Sequence, residues 1–317
     1  MRTMGPYRVG ARLARGANGD LHLAALDGKA VALRLFDPRF GEDLGFELDL
    51  TAAANQTWTH RCPVGVLDAG RDGTRPYVAM ELVEGQPLSS FLKKARLEGM
   101  PISQSDFLAL MRPVVEAVVE AHRREEPATH GRLAPQDIII DQGGRPRLVG
   151  LGFGKVARRL DVANRRLGFV APEVMRNEAP SRRSDAFSVA ALLYDGLTGR
   201  APFRRPQVED TRHAVLHGDL APIKVGQLEV DPTIGDWITE TLVPRAEARP
   251  DGLEYVLELI GERPAPALEG RVTELFAPEL EGLGRMKSAL GAASGRGAAT
   301  ADSADVPALA ERDVEVV

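Results

Sequence analysis

From Tyr7 to Ala25 apolar positions alternate with polar ones around glycines, and Lys29 to Phe36 is a short apolar run. Val64 to Ala69 is another, and Asp72-Gly73 reads as a hairpin turn into Pro76 to Val83. Period-two patterning broken by turn residues predicts antiparallel strands. A single helical stretch interrupts them around Asp43 to Asn55, where Phe46, Leu50 and Ala53 recur at i, i+4 and i+7. After Gly85 the period changes. Phe107 to His122 sets Leu108, Met111, Val115 and Val118 on one helical face, and helices are predicted at Ser184–Leu197, Thr233–Leu242 and Gly252–Ile260. Strands first and helices later predict an α+β fold of two lobes, joined by a hinge near Glu81 to Gly85.

Beyond Glu262 the pattern loosens. Pro264 and Pro266 punctuate the chain, and an apolar stripe from Val272 to Leu290 then recurs at helical spacing, weakened by Pro278 and two glycines. That stripe reads as a helix packed on the second lobe or, alternatively, as a partner helix. Gly291 to Val317 lacks aromatics and is rich in alanine and acid, so disorder is expected there. The resulting division is 7–85, 86–262, 263–290 as an accessory helix, and 291–317 as a tail.

Lys and Arg total 40 against 45 Asp and Glu, a net charge of −5 that disfavours a wholesale nucleic-acid binder. One cysteine, Cys62, excludes an intrachain disulfide and a Cys-based zinc site. His22, His60, His122, His213 and His217 have no metal-ligand spacing, so no metal site is expected. No apolar run reaches the roughly 18 residues of a membrane span. The first ten residues have no signal-type apolar region, and a cytoplasmic location is the expectation.

The chemistry-bearing segments come in a fixed order. Leu13 to Leu21 is a glycine hairpin containing Gly16 and Gly19, and Val31-Ala32-Leu33-Arg34 places a cation on a strand. Tyr77 to Gly85 closes the strand block. His130-Gly131-Arg132-Leu133-Ala134-Pro135-Gln136-Asp137-Ile138-Ile139, Leu151-Gly152-Phe153-Gly154, Ala171-Pro172-Glu173, Ser184-Asp185 and Arg249-Pro250 follow. In this order and spacing the set resembles the bacterial Ser/Thr protein kinase family over about residues 7 to 262. The resemblance implies a bilobal protein-kinase-like fold, with a small β-rich N-lobe and a larger helical C-lobe. It also implies an adenine slot formed by Leu21, Ala32 and Ile139 beside a hinge of Met80, Glu81 and Val83, with Gly16, Gly19 and Arg34 toward the phosphates.

The resemblance fails where chemistry is done. Phosphoryl transfer needs a lysine on the phosphates, side chains holding magnesium, and a base for the acceptor hydroxyl. Arg34 replaces the strand lysine, and Arg132, a cation, stands at the catalytic aspartate. Ala134 replaces the following lysine, and Gly152 replaces the D-F-G aspartate. Asp137, in place of the asparagine, is the one change still suited to magnesium. Residues 155–170 contain no Ser, Thr or Tyr to phosphorylate, and Gly131 replaces the arginine that would receive the phosphate.

Positions that hold the family's fold are retained: Glu173 with Arg249 as a buried ion pair, Asp185 as the anchor of the catalytic loop, and His130 and Phe153 in the apolar column. Glu47 is the candidate partner of Arg34, or else a solvated helix carboxylate. Scaffold retained and chemistry erased predicts a pseudokinase-type regulator or scaffold needing no cofactor, with ATP, if held, bound without metal. The alternatives are a divergent kinase using Asp137 and another carboxylate, or an inert support for the tail. The basic segment 155–183 is either a solvated face or a docking patch for an acidic or phosphorylated protein partner.

Overall fold

The predicted strands form one twisted antiparallel sheet in a computed structural model of the protein, which describes residues 2–223, 228–264, 266 and 268–292. β1 (Thr3–Met4), β2 (Tyr7–Gly16), β3 (Gly19–Leu26) and β4 (Lys29–Phe36) precede helix α1 (Leu44–Ala54), and β5 (Val66–Asp72) and β6 (Arg75–Glu81) follow it. The strand order is β1-β2-β3-β4-β6-β5. Alternation along β4 decides what faces the cleft. Leu33 and Leu35 pack with Tyr7 and Tyr77 on the outer face, while Ala32 and Phe36 pack toward α1 with Phe46 and Leu50. Arg34 shares the parity of Ala32 and Phe36, and is therefore buried on the cleft side at 2% exposure. Asp43 caps α1, its carboxylate accepting from the Phe46 amide at 3.1 Å.

The chain then enters the helical lobe through β7 (Gly85–Pro87), α2 (Leu88–Leu97) and α3 (Gln104–His122). A small sheet of β7, β8 (Ile138–Asp141) and β9 (Pro146–Leu148) lines the floor of the cleft. The short helices α4 (Gly154–Ala157) and α5 (Pro172–Met175) bracket an irregular segment. α6 (Arg182–Thr198), α7 (Val208–His217), α8 (Pro232–Thr241) and α9 (Glu254–Ile260) complete the lobe around the buried faces of α3 and α6. This is the bilobal α+β architecture expected. α2 and α7 lie outside the elements predicted from periodicity, although Leu88, Phe91, Leu92 and Ala95 of α2 do recur at helical spacing.

The last helix, α10 (Glu269–Ala292), departs from expectation. It bends at Phe276, two residues before Pro278, whose ring cannot continue the hydrogen-bond ladder. Before the bend, Val272, Leu275 and Phe276 join the C-lobe core; beyond it, Leu290 packs on Leu23 and Ala25 of β3. Arg8 donates to the Leu290 carbonyl at 2.7 Å, Lys287 pairs with Glu84 at the hinge, and Lys94 pairs with Glu279 at 3.2 Å. The helix therefore straps both lobes together rather than packing on the second alone. The expectation for 291–317 falls on residues that, after Ala292, lie outside the described ones. Among the described residues no helix is long and apolar enough to cross a membrane.

Candidate active site

An open cavity of about 1720 Å³ begins between the lobes, and Leu21, Ala32, Met80, Glu81, Val83 and Ile139 all line it. The register of β3, β4 and β6 assembles this slot, pairing Leu23 with Ala32 and Ala32 with Met80. Leu13, Val64 and Val149 add apolar surface. Gly16, Gly19, Arg34, Asp137 and Gly152 do not line the cavity. Half of the predicted nucleotide site is thus open, and the half meant for phosphates is filled by the chain itself.

The filling starts at the glycine hairpin. Gly16 and Gly19 pair across its tip, which carries Asn18 at 3% exposure. The Asn18 amide donates to the Asp161 carbonyl at 2.9 Å and accepts from the Asp161 N–H at 2.9 Å, a reciprocal pair that ties the hairpin to segment 154–170. Arg39 pairs with the Asp161 carboxylate from the other side. Gly19 itself has a structural reason to be glycine. Its φ is +127°, and a Cβ there would lie 2.0 Å from the Leu35 carbonyl.

The catalytic-loop positions are committed in the same way. Arg132 is 3% exposed and donates to the carbonyls of Ala157, Leu160 and Asp161 at 3.1, 3.0 and 3.2 Å. Asp137 is fully buried, and both its oxygens receive the Arg166 guanidinium, at 2.6 and 2.7 Å. The Ala134 amide adds a bond of 2.9 Å to Asp137. Arg132 thus reaches from the loop into segment 154–170, and Arg166 reaches from that segment back into the loop. His130 lies beneath them, its Nε2–H donating to the Val149 carbonyl at 2.9 Å, which fixes the tautomer. Burial pushes its pKa below the ordinary histidine value, against the pull of Asp137 and Asp185. Asp185 accepts from the His130 and Gly131 amides at 2.9 and 2.7 Å and faces His122 at 2.9 Å, so the loop backbone hangs from α6.

Gly152 sits at φ +89°, and a Cβ there would come within 2.3 Å of the Gln56 Oε1. A side chain at this position would meet both strained backbone and an occupied space. Phe153, next along, is buried in the cluster that contains Leu50 and Val149. These residues do not fit a magnesium nucleotide: position 152 offers no donor atom, and both oxygens of Asp137 are engaged by Arg166. Among the described residues, no group of three His, Cys, Asp or Glu is placed to hold a metal ion. The expectation that Asp137 remains suited to magnesium is corrected here, because a guanidinium fork fills the acceptor directions a cation would need.

Comparison with known proteins decides the family. The protein kinase domain matches residues 8–251. The chain belongs to the protein kinase domain family. It is similar to the serine/threonine-protein kinase PknL of Mycobacterium tuberculosis, at 30% identity over 224 residues covering 68% of this chain and 54% of PknL. A probable serine/threonine-protein kinase of Corynebacterium efficiens, CE0033, is 27% identical over 256 residues, 72% of this chain and 37% of its own. PrkC of Bacillus subtilis is 25% identical over 212 residues, 64% and 32%. The chain spans about half the length of PknL, and about a third of the other two.

Within this kinase domain, two further expectations are corrected. Glu47 does not meet Arg34. The inward stripe of α1 is Phe46, Leu50 and Ala53, which leaves Glu47 on the flank, 3.8 Å from Arg71 of β5. The Arg34 guanidinium instead lies 5.7 Å over the Phe36 ring. The basic run of the activation segment is also only partly a free face. Arg159 binds Asp43 and Asp49 of the α1 region at 2.7 and 2.8 Å, and Arg166 is buried on Asp137, leaving Lys155, Arg158, Arg176 and Arg182 exposed. No sequence pattern singles out Asn18, Asp161 or Arg166 individually. Only Arg166 leaves a trace, a carboxylate at the buried Asp137 position, which demands a cation somewhere in the chain.

Glu173 and Arg249 form a bidentate pair at 2.7 and 2.9 Å, with the Ser184 hydroxyl donating to the same carboxylate at 2.7 Å. Burial pushes the Glu173 carboxyl up, but Arg249 and Ser184 outweigh it and hold the pKa below the ordinary value. A carboxylate with a depressed folded-state pKa stabilises fully above its unfolded value and loses that contribution as pH falls through its folded value. Acid titration of the melting temperature is therefore expected to fall more steeply in the parent than in Glu173→Gln, which starts lower. Parallel acid limbs would contradict this.

Proposed function

We propose that this kinase domain is catalytically silent, a pseudokinase that works as a regulator or scaffold in bacterial signalling by binding other proteins. The observation that carries this reading is the direction of Arg132. A cation stands where the proton acceptor belongs, and its guanidinium is hydrogen-bonded to the activation segment. The pairing of Asp137 with Arg166 and the bare Gly152 support the same conclusion. Loss of one interlocked catalytic group costs about 10²–10⁶ in rate, and here the base position and two metal-ligand positions are altered together.

Any ATP held by the chain is held metal-free in this reading, through the apolar slot of Leu21, Ala32, Met80 and Ile139. Incubation of the purified chain with labelled ATP and magnesium or manganese is expected to give no phosphate incorporation into itself or a generic acceptor. ATP is expected to raise the melting temperature equally in magnesium and in EDTA, if it raises it at all. One observation favours a second reading, a divergent active kinase: the relatives are named as serine/threonine kinases. Incorporation that vanishes in Ala32→Phe, whose side chain fills the adenine slot and whose folding a circular dichroism melt checks, would establish that second reading.

A further inference from the structure

We propose that the distal half of α10 is a releasable strap, whose detachment from β3 and the hinge opens the outer side of the interlobe cavity. This goes beyond the pseudokinase reading and does not depend on it, because the strap acts alike on a silent or an active cleft. The bend at Phe276 divides α10 into two halves that are held in unlike ways. The proximal half belongs to the C-lobe. Val272, Leu275 and Phe276 are buried in its core, Lys94 lies 4.5 Å over the Phe276 ring, and Arg271 donates to the Met100 carbonyl.

Residues 277–292 are held far more lightly. Leu290 is the one buried residue among them, and it packs with Met286 against Leu23 and Ala25. The polar fastenings to the N-lobe side are half-buried ones, Lys287 on Glu84 and Arg8 on the Leu290 carbonyl. Gly282, Gly284 and Gly291 weaken the helix itself, so it keeps its shape through the surface it covers. Few buried apolar contacts and low intrinsic propensity place such a segment at the low end of local stability. Its position gives release a consequence. Leu280 and Leu283 wall the cavity beside Leu13, Leu21 and Leu82. Leu21, Leu23 and Ala25 share one face of β3 by alternation, so the strap covers the outward continuation of the adenine slot. Glu84 lies between β6 and β7, so Lys287 fastens the strap at the hinge itself. The movement that frees the helix therefore removes one wall of the cavity.

The test is the rate of maleimide labelling of the full chain at Ala25→Cys, a small substitution at a site 7% exposed beneath Leu290. Cys62, 4% exposed in the C-lobe core, is the internal reference for global opening, and an exposed Lys29→Cys thiol in a separate protein sets the unhindered rate. The Ala25→Cys thiol is expected to react at a rate between these two. Adding Lys287→Glu, which sets two carboxylates together at the hinge, is expected to raise that rate about threefold. Adding Leu290→Asp is expected to raise it more than about tenfold, because its carboxylate faces Leu23 and Ala25. Neither change is expected to alter the Cys62 rate. Amide exchange is expected to quicken across 277–292 and to stay slow across 271–276. Labelling of Ala25→Cys as slow as Cys62, or as fast as Lys29→Cys, would overturn the proposal. So would Ala25→Cys rates unmoved by both variants, or an equal rise at Cys62 or across 271–276, which would make the distal half inseparable from the C-lobe core.

Discussion

Replacing Asp137 with alanine is expected to lower the unfolding free energy by about 3–5 kcal/mol, because it strands a buried guanidinium. Asp137 is fully buried and Arg166 is 1% exposed, so water cannot take over the lost bonds without opening the site. The variant also removes the acceptor for the Ala134 amide. This cost is that of breaking the pair, not the net worth of the pair against an apolar alternative. The double variant Asp137→Leu with Arg166→Met, which removes both charges at roughly conserved volume, is therefore expected to recover most of the loss. Urea denaturation of the parent, the two single variants and the double gives the cycle. A cost below about 1 kcal/mol for Asp137→Ala would mean that the pair is solvated, and the metal-ligand position would again be free.

Restoring the family's residue with Arg132→Asp is expected to harm the protein rather than revive it. The substitution removes charged hydrogen bonds to three carbonyl oxygens and directs a carboxylate at the same oxygens. The expected cost is at least about 3 kcal/mol, greater than that of Arg132→Ala, which removes the donors without adding repulsion. Limited proteolysis is expected to cut residues 155–170 faster in both variants, and faster in the aspartate one. No phosphoryl transfer should return, since Gly152 still presents no ligand and Arg166 still covers Asp137. A stable Arg132→Asp protein that transfers phosphate would sink both the structural role of Arg132 and the pseudokinase reading.

The two lobes, the strand segments of the first and the principal helices of the second are legible in the sequence, as are the residue types at the family's catalytic positions. Each depends on local periodicity or on a residue type at a family position. Glu47 illustrates the limit. Its helix forms where the spacing predicts it, but one step of rotation separates the inward stripe of Phe46 and Leu50 from the flank that carries Glu47. Helical spacing alone does not say which residue will meet the neighbouring strand. α10 illustrates another limit. Its apolar stripe predicts a helix, but the bend beside Pro278 redirects the second half onto β3, and a stripe does not reveal which surface will cover it.

The amino-acid order by itself determined a two-lobed α+β kinase domain that carries Arg34, Arg132 and Gly152 where the resemblance places the strand lysine, the base and the D-F-G carboxylate. It also determined that the activation segment has no hydroxyl to phosphorylate. Only the tertiary structure decided how the vacated positions are used: Arg132 on the activation-segment carbonyls, Arg166 on Asp137, and Asn18 on Asp161. The physical reason is sequence distance. Asp137 and Arg166 lie 29 positions apart and Asn18 and Asp161 lie 143 apart, so neither pair leaves a periodic signature. Local pattern reports the face a residue takes on its own element, whereas the partner of a buried charge is chosen by how the elements pack.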